Sequence, residues 1–126
     1  MIYTTYLSNL KNIPNDSIKI LITRWRPRTT INIEKYNLMW RPNLAPSELT
    51  LSQRKDGNLT WEEFRKKYIE ESYNNQLFID GIQEVMNYND NGKDVYLICY
   101  EKDPLECHRS ILKEIFTTNN YECKEY

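Results

Sequence analysis

Glycine is scarce in this chain, with three residues among 126. Phosphate-binding loops of the dinucleotide-binding and P-loop types need several closely spaced glycines, so the sequence excludes both. It also lacks an apolar run of the ~20 residues that a membrane-spanning helix requires. Its start, "MIYTTYLSNL", has neither the basic residues nor the long apolar stretch of a signal peptide. We therefore expect a cytoplasmic protein with no membrane partner.

Cysteine is also rare, and the three cysteines are odd in number and irregularly spaced. Such a set argues against a disulfide framework and predicts reduced thiols, as in a cytoplasmic protein. Neither sign of charge dominates, because 17 Lys and Arg stand against 18 Asp and Glu. The first third of the chain is basic and the remainder is acidic, which argues against tight nonspecific binding to nucleic acid.

Strand-like and helix-like segments alternate along the chain. Short runs rich in β-branched and aromatic residues predict four strands, at residues 2–7, 17–23, 94–100 and 121–126. Amphipathic periodicity predicts three helices, at residues 60–73, 76–88 and around 111–116. Thr60 and Glu63 have the spacing of a capping box, which fixes the start of the first of these helices.

The order of these segments predicts a single three-layer α/β domain over residues 1–126, with a mostly parallel, Rossmann-like sheet flanked by helices. The segment "DVYLICY" (94–100) is apolar on both faces, which predicts a central parallel strand covered on each side. Residues 24–59 contain three prolines and no clean periodicity. We expect a long irregular excursion there, and a compact domain rarely keeps one without a use for it.

The segment "LICYEKDPLECHRSIL" (97–112) holds two of the cysteines, the only histidine and an arginine. It spans the junction from a predicted strand to a predicted helix. Ligands of open α/β sheets bind beyond the carboxyl ends of the strands, beside helix N-termini that favour anions. Asp103, Pro104 and Glu106 have the spacing of a helix N-cap, a first-turn proline and a capping box. The junction is therefore a candidate site.

The residue spacing argues against two well-known kinds of site, a phosphatase loop and a zinc site. A phosphatase-type Cys-x5-Arg loop would need arginine where Leu105 and Lys113 stand. A zinc site lacks paired C-x2-C spacing, and the adjacent Cys107 and His108 would point in different directions on a helix. We therefore expect no metal and no cofactor. The remaining catalytic candidates are Glu101, Cys107 and His108.

Each catalytic candidate also has a structural interpretation. Cys107 is either a packed thiol or a nucleophile whose pKa is lowered by a helix N-terminus. His108 is either a half-buried, hydrogen-bonded histidine or a proton-transfer group. Glu101 either moves a proton or serves as a cap or an ion-pair partner of Arg109. The residues alone leave these alternatives open.

A second cluster, "ITRWRPR" (22–28), follows the second predicted strand. Strand alternation would send Arg24, Arg26 and Arg28 to one side and Trp25 to the other. If this strand neighbours the strand at 94–100, Arg24 reaches the same sheet edge as Arg109. Two guanidiniums beside a helix N-terminus form a pocket for phosphate or carboxylate.

Four segments of the chain together resemble one family. They are "MIYTTYLSNLKNIP" at the start, "ITRWRP" at 22–27, "LAPS" at 44–47 and "LICYEKDPLECHR" at 97–109. In this order they are similar to the bacterial, archaeal and phage proteins of the domain of unknown function 488 (DUF488) family. The most specific part is "CYEK" followed four residues later by "CHR". Trp25 and Arg26 depart from the smaller residues that similar members often carry.

The resemblance implies a small α/β fold with a shared site, and it supplies no established reaction. The implied site residues are Arg24, Pro46, Ser47, Glu101, Cys107, His108 and Arg109.

Two hypotheses for the function follow. In the first, a hydrolase or transferase acts on a phosphorylated or nucleotide-like ligand. Arg24, Arg26 and Arg109 hold the anion, Glu101 or His108 moves a proton, and Ser47 closes the pocket. In the second, a non-catalytic protein uses the same pocket to bind a nucleotide or, with weaker support, nucleic acid.

Overall fold

Five parallel strands form one sheet in the computed structural model, which describes residues 1–26, 35–103 and 107–126. The strands are β1 (Ile2–Tyr6), β2 (Ile18–Leu21), β3 (Leu38–Trp40), β4 (Val95–Cys99) and β5 (Cys123–Glu125). The helices are α1 (Glu48–Lys55), α2 (Trp61–Tyr73), α3 (Gln76–Asp90) and α4 (Arg109–Thr118). Two 3-10 helices cover Leu7–Asn12 and Pro42–Leu44.

The sheet is centred on β4, and its strand order is β3-β2-β4-β1-β5. Every residue of β4 is buried, and β4 pairs with β1 on one side and β2 on the other, in parallel along its length. This confirms the predicted central strand and the mostly parallel α/β fold. The order differs from the 3-2-1-4-5 order of the doubly wound dinucleotide-binding sheet, because β4 lies between β1 and β2.

The two faces of the sheet are covered unequally. Buried side chains of α2, α3 and α4 pack in one apolar cluster on the face that carries Val95, Leu97 and Cys99. The opposite face carries Tyr96 and Ile98, and the 3-10 helix Leu7–Asn12 and its neighbours cover it. The expected helical layer on this second face is therefore a 3-10 helix in the described residues, since the β1 to β2 connection is short.

Local sequence signals explain why α2 and α3 form. The Thr60 hydroxyl accepts from the backbone N–H of Glu63, and the Glu63 carboxylate accepts from the backbone N–H of Thr60, which is the predicted capping box. Gly81 stands within α3, where a Cβ atom would come too close to the side chains of Asn43 and Leu44 unless they shift. Within the described ranges, every helix is too short or too polar to span a bilayer.

Residues 24–59 are more regular than their sequence predicts. They contain β3, a 3-10 helix and α1 in addition to residues 27–34, which lie outside the described ranges. Both regular elements have weak local signals, because β3 has three residues and α1 buries only Thr50 completely. The prediction of a long irregular excursion over residues 24–59 is therefore wrong where β3 and α1 form.

Replacement of Gly81 by alanine tests the contact between α3 and the segment before α1. A Cβ atom here would meet Asn43 Nδ2 at 2.7 Å and Leu44 Cδ2 at 2.9 Å. Helix propensity alone would favour alanine by roughly 1 kcal/mol, but overpacking of this kind costs about 1–3 kcal/mol. We expect net destabilisation in urea unfolding. Gln83→Ala at an exposed position of α3 is the control, and stabilisation by Gly81→Ala would contradict the close contact.

Candidate functional site

A cleft of about 970 Å³ opens at the carboxyl edge of the sheet. It is lined by residues 23–25 after β2, residues 99–101 at the end of β4 and residues 107–108 before α4. Side chains of α1 and of the first turn of α2 form the facing wall. Because all five strands run in parallel, the cleft lies where ligands of parallel α/β sheets usually bind.

The structure brings four of the eight predicted site residues to this cleft. They are Arg24, Glu101, Cys107 and His108. The other four do not line it: Arg26, Pro46, Ser47 and Arg109. Arg26 is exposed, and the roles of the other three follow from their hydrogen bonds.

Cys99 and Cys107 form a disulfide across the junction from β4 to α4. This corrects the expectation of reduced thiols throughout. Cys99 is the last residue of β4, and Cys107 stands two residues before α4. Residues 104–106 of the predicted capping motif lie outside the described ranges, and α4 has His108 at its N-cap without a side-chain capping bond.

His108 is buried beside the disulfide. Its Nε2 is 2.8 Å from the carbonyl oxygen of Ile22, so the Nε2–H donates there and Nδ1 is left as an acceptor. Burial lowers the pKa of His108 to about 4; the Ile22 carbonyl opposes this shift, and the charges of Arg109 and Arg24 add to it. The imidazole is therefore neutral at pH 7, with its proton held by the backbone.

Three potential metal ligands converge at this point. Nδ1 of His108 lies 3.8 Å from Sγ of Cys99 and 3.9 Å from Sγ of Cys107. All three ligand atoms lie within 4.8 Å of one another. The expectation that Cys107 and His108 point in different directions is wrong, because Nδ1 of His108 lies close to Sγ of Cys107, and both residues precede the first residue of α4.

Arg109 stabilises the junction between β4 and α4 and does not line the cleft. Its side chain has no exposed surface, and its guanidinium makes a paired contact with the Glu125 carboxylate, at 3.0 Å from both Nε and Nη2. Nη1 donates to the carbonyl of Glu101, and Nη2 to that of Lys102 at 2.9 Å. The Tyr6 ring lies 5.9 Å away. The structure thus directs Arg109 to protein partners and not into the cleft.

Arg24 both lines the cleft and holds the loop before α1. Its Nε donates to the Pro46 carbonyl and its Nη2 to the Ala45 carbonyl, each at 2.9 Å. The predicted alternation of arginines around Trp25 is wrong for the described positions, because β2 ends at Leu21 and the chain bends at residues 24–25. Arg24 and Trp25 therefore line the same cleft, and Arg28 lies outside the described ranges.

Ser47 caps α1 and is tied to α2 by Glu71. The Ser47 hydroxyl accepts from the Thr50 backbone N–H, and the Glu71 carboxylate accepts from the backbone and hydroxyl of Ser47 and from the hydroxyl of Thr50. Sequence reasoning missed Glu71. Its spacing from Phe64 and Tyr68 was the available signal, because it places an acidic side chain on the buried stripe of α2.

The cleft also contains side chains that sequence reasoning did not select. Arg54 and Lys55 bring two cations from the last turn of α1, and the Arg54 guanidinium lies 5.6 Å from the Trp61 ring. Trp25 and Tyr100 add aromatic surface that is 56% and 43% exposed. The arrangement can bind an anion and a flat ring together.

We expect Arg109→Ala to destabilise the fold rather than to act only on ligand binding. Truncation of a side chain without exposed surface leaves a cavity and costs about 2–5 kcal/mol, and Glu125 and the carbonyls of Glu101 and Lys102 would lose their contacts with the guanidinium. Arg109→Lys is the milder variant, because it keeps the charge without the planar geometry. Urea unfolding measures both. The exposed Arg26→Ala should change stability by less than about 0.5 kcal/mol, and an equal result for Arg109→Ala would contradict the anchor.

Comparison with protein families matches nearly the whole chain. The model described as the active DUF488-N3 subclade matches residues 2–120. This span includes four of the strands, all four α-helices and every residue that lines the cleft. A search of curated proteins and a search of solved structures each found no match. The resemblance predicted from the sequence is confirmed, and the chain belongs to the DUF488 family, in its DUF488-N3a subclade.

Proposed function

We propose that this protein is an enzyme that binds a phosphorylated, nucleotide-like ligand in the cleft and transfers or hydrolyses one of its groups. One observation carries the proposal, namely that basic and aromatic side chains meet at the carboxyl edge of a parallel sheet. The basic side chains are Arg24, Arg54 and Lys55, and the aromatic ones are Trp25, Trp61 and Tyr100. The description of the matched family as an active subclade also supports an enzyme.

The basic side chains suit the phosphate part of such a ligand. Arg54 has one nitrogen engaged with the Leu59 carbonyl at 2.8 Å, which holds the guanidinium in place at the cleft. Arg24 is held by the carbonyls of Ala45 and Pro46. Cations that are fixed before the ligand arrives lose little conformational entropy on binding. Guanidinium groups also match the geometry of phosphate oxygens.

The aromatic side chains suit the base part. Trp25 and Tyr100 are large, exposed rings at the mouth of the cleft. Stacking of a nucleobase on one such ring contributes ~1–3 kcal/mol and works for any base, because every base has a π-face. This surface therefore favours a nucleotide-like ligand over a bare phosphate ion.

Glu101 is the residue that we assign to proton transfer. It is exposed, it lines the cleft, and Arg109 fixes its backbone through the carbonyl oxygen. His108 is neutral and has its N–H committed to Ile22, and the sulfur of Cys107 is bonded to that of Cys99. A carboxylate placed beside a bound hydroxyl or water is a suitable general base.

Binding of nucleotides tests the recognition part of the proposal. We expect Lys55→Ala to weaken the binding of a nucleoside triphosphate by roughly 10-fold, the lower end for loss of one charge-assisted contact. Tyr100→Ala should act similarly through lost stacking. Isothermal titration measures the affinities. Lys11→Ala and Tyr73→Ala are matched controls, since both residues lie outside the cleft. Equal losses in the controls would rule out the cleft as the binding site.

Glu101→Gln tests the catalytic part, because it removes the charge with little change of shape. Once a wild-type substrate is found among nucleotides, nucleosides and sugar phosphates, turnover should fall by roughly 100-fold or more, with affinity nearly unchanged. Glu70→Gln on the exposed surface of α2 should keep full turnover. Full turnover in Glu101→Gln would show that another group moves the proton.

The second candidate function is non-catalytic binding of a nucleotide or of a nucleic-acid end. The position of His108 favours it, because the Ile22 carbonyl holds the imidazole N–H, so that proton transfer would rest on Glu101 among the predicted groups that line the cleft. Tight nucleotide binding by the wild type without turnover would select this function. In both cases the proposal includes a cytoplasmic location, where the disulfide between Cys99 and Cys107 would be exposed to reduction.

A further inference from the structure

We propose that Cys99, Cys107 and His108 form a site for a thiophilic divalent cation of the Zn²⁺ class once the bond between the two cysteines is reduced. The proposal goes beyond the nucleotide-binding function and does not depend on it. It starts from the convergence of two sulfurs and one imidazole nitrogen within 4.8 Å at the inner wall of the cleft.

The distances suit a tetrahedral ion. Zinc binds thiolate at ~2.3 Å and imidazole nitrogen at ~2.0–2.1 Å, so a tetrahedral centre places nitrogen and sulfur ligands roughly 3.6 Å apart. Nδ1 of His108 lies 3.8 Å and 3.9 Å from the two sulfurs. The Cα atoms of the two cysteines are 7.3 Å apart, beyond the ~4.4–6.8 Å usual for bonded pairs. Reduction therefore leaves room for an ion between the sulfurs.

The orientation of the imidazole is already that of a metal ligand. A ligating histidine usually donates its other ring N–H to a carboxylate or a backbone carbonyl, which fixes the tautomer and the ring plane. Nε2 of His108 makes this bond with Ile22, directly after β2. The ring of Tyr68 packs edge-on at 5.8 Å and restricts its rotation. Nδ1 consequently faces the two sulfurs with its lone pair available.

The charge of the proposed site and the types of its ligand atoms restrict which ion it can bind. Two thiolates and a neutral imidazole balance a divalent cation, so the loaded site carries no net charge and can remain buried. Sulfur ligands select zinc and related soft ions over magnesium and calcium. All three residues line the cleft, which leaves the fourth coordination position for water or for a ligand atom from the cleft side. A zinc site with an open position of this kind is typical of catalytic centres.

A phosphine is a sufficient reductant for the conversion of the disulfide into two thiols. The phosphine supplies two electrons to the S–S bond and takes an oxygen atom from water, which yields two thiols and a phosphine oxide. Binding of the divalent cation then releases the two thiol protons and forms two metal–sulfur bonds and one metal–nitrogen bond. The disulfide and the metal site are therefore mutually exclusive states of the same two sulfurs.

Metal binding by the reduced full-length chain tests the proposal. The protein is reduced with a phosphine, dialysed against Zn²⁺ and analysed for bound zinc, and a parallel sample receives Co²⁺. We expect one ion per chain and a thiolate-to-cobalt charge-transfer band in the near ultraviolet. Cys107→Ser should lose at least ~10-fold in zinc affinity, because the loss of even a hydrogen-bond partner of a metal ligand costs that much. Cys123→Ser is the matched control, because this buried cysteine lies outside the cluster.

The outcomes separate clearly. Loss of zinc in Cys99→Ser and Cys107→Ser with retention in Cys123→Ser supports the site. Absence of bound zinc and of the charge-transfer band in the reduced wild type overturns it, as does an equal loss in Cys123→Ser. If the cysteine variants do not fold, X-ray absorption of the cobalt-loaded wild type decides. Two sulfur ligands and at least one nitrogen ligand support the site, and a coordination shell without sulfur overturns it.

Discussion

The junction between β4 and α4 depends on the buried guanidinium of Arg109. A charge without exposed surface costs several kcal/mol unless its donors are paired. Glu125 provides a paired carboxylate, and the carbonyls of Glu101 and Lys102 accept further hydrogen bonds. These contacts join the end of β4, the start of α4 and the edge strand β5. The positions of Cys107 and His108, immediately before Arg109, follow from this anchor.

Much of the fold could be predicted because local pattern and tertiary packing agree for most elements. The apolar run of β4 is buried on both faces, and α2 begins at the capping box that its sequence contains. β3 and α1 could not be predicted in the same way. Their formation depends on contacts from distant segments, such as the Glu71 carboxylate that binds Ser47 and Thr50 at the start of α1. A pattern read along α1 alone does not contain that partner.

The candidate site could also be predicted only in part, because its contacts join segments that are distant in the sequence. Composition and strand order placed it at the carboxyl edge, because parallel strands end together there. The role of Arg109 could not be inferred, since its partner Glu125 stands on a strand that no local pattern pairs with α4. The bond between Cys99 and Cys107 could not be inferred either, because a separation of eight residues does not determine where two side chains point. The residues at the site were therefore easier to predict than the groups that they contact.

The two walls of the cleft are held in different ways, and this difference bears on what each wall can do. The wall formed by β4 and the start of α4 is fixed by the disulfide and by buried hydrogen bonds of His108 and Arg109. The α1 wall is attached through polar contacts of Ser47 and Arg24, and its cations stand in an exposed last turn. Reactive groups need positions fixed within a fraction of an ångström, whereas recognition tolerates adjustment. The proposed proton transfer by Glu101 is therefore placed on the first wall, and the proposed recognition of an anion is placed on the cations of the second.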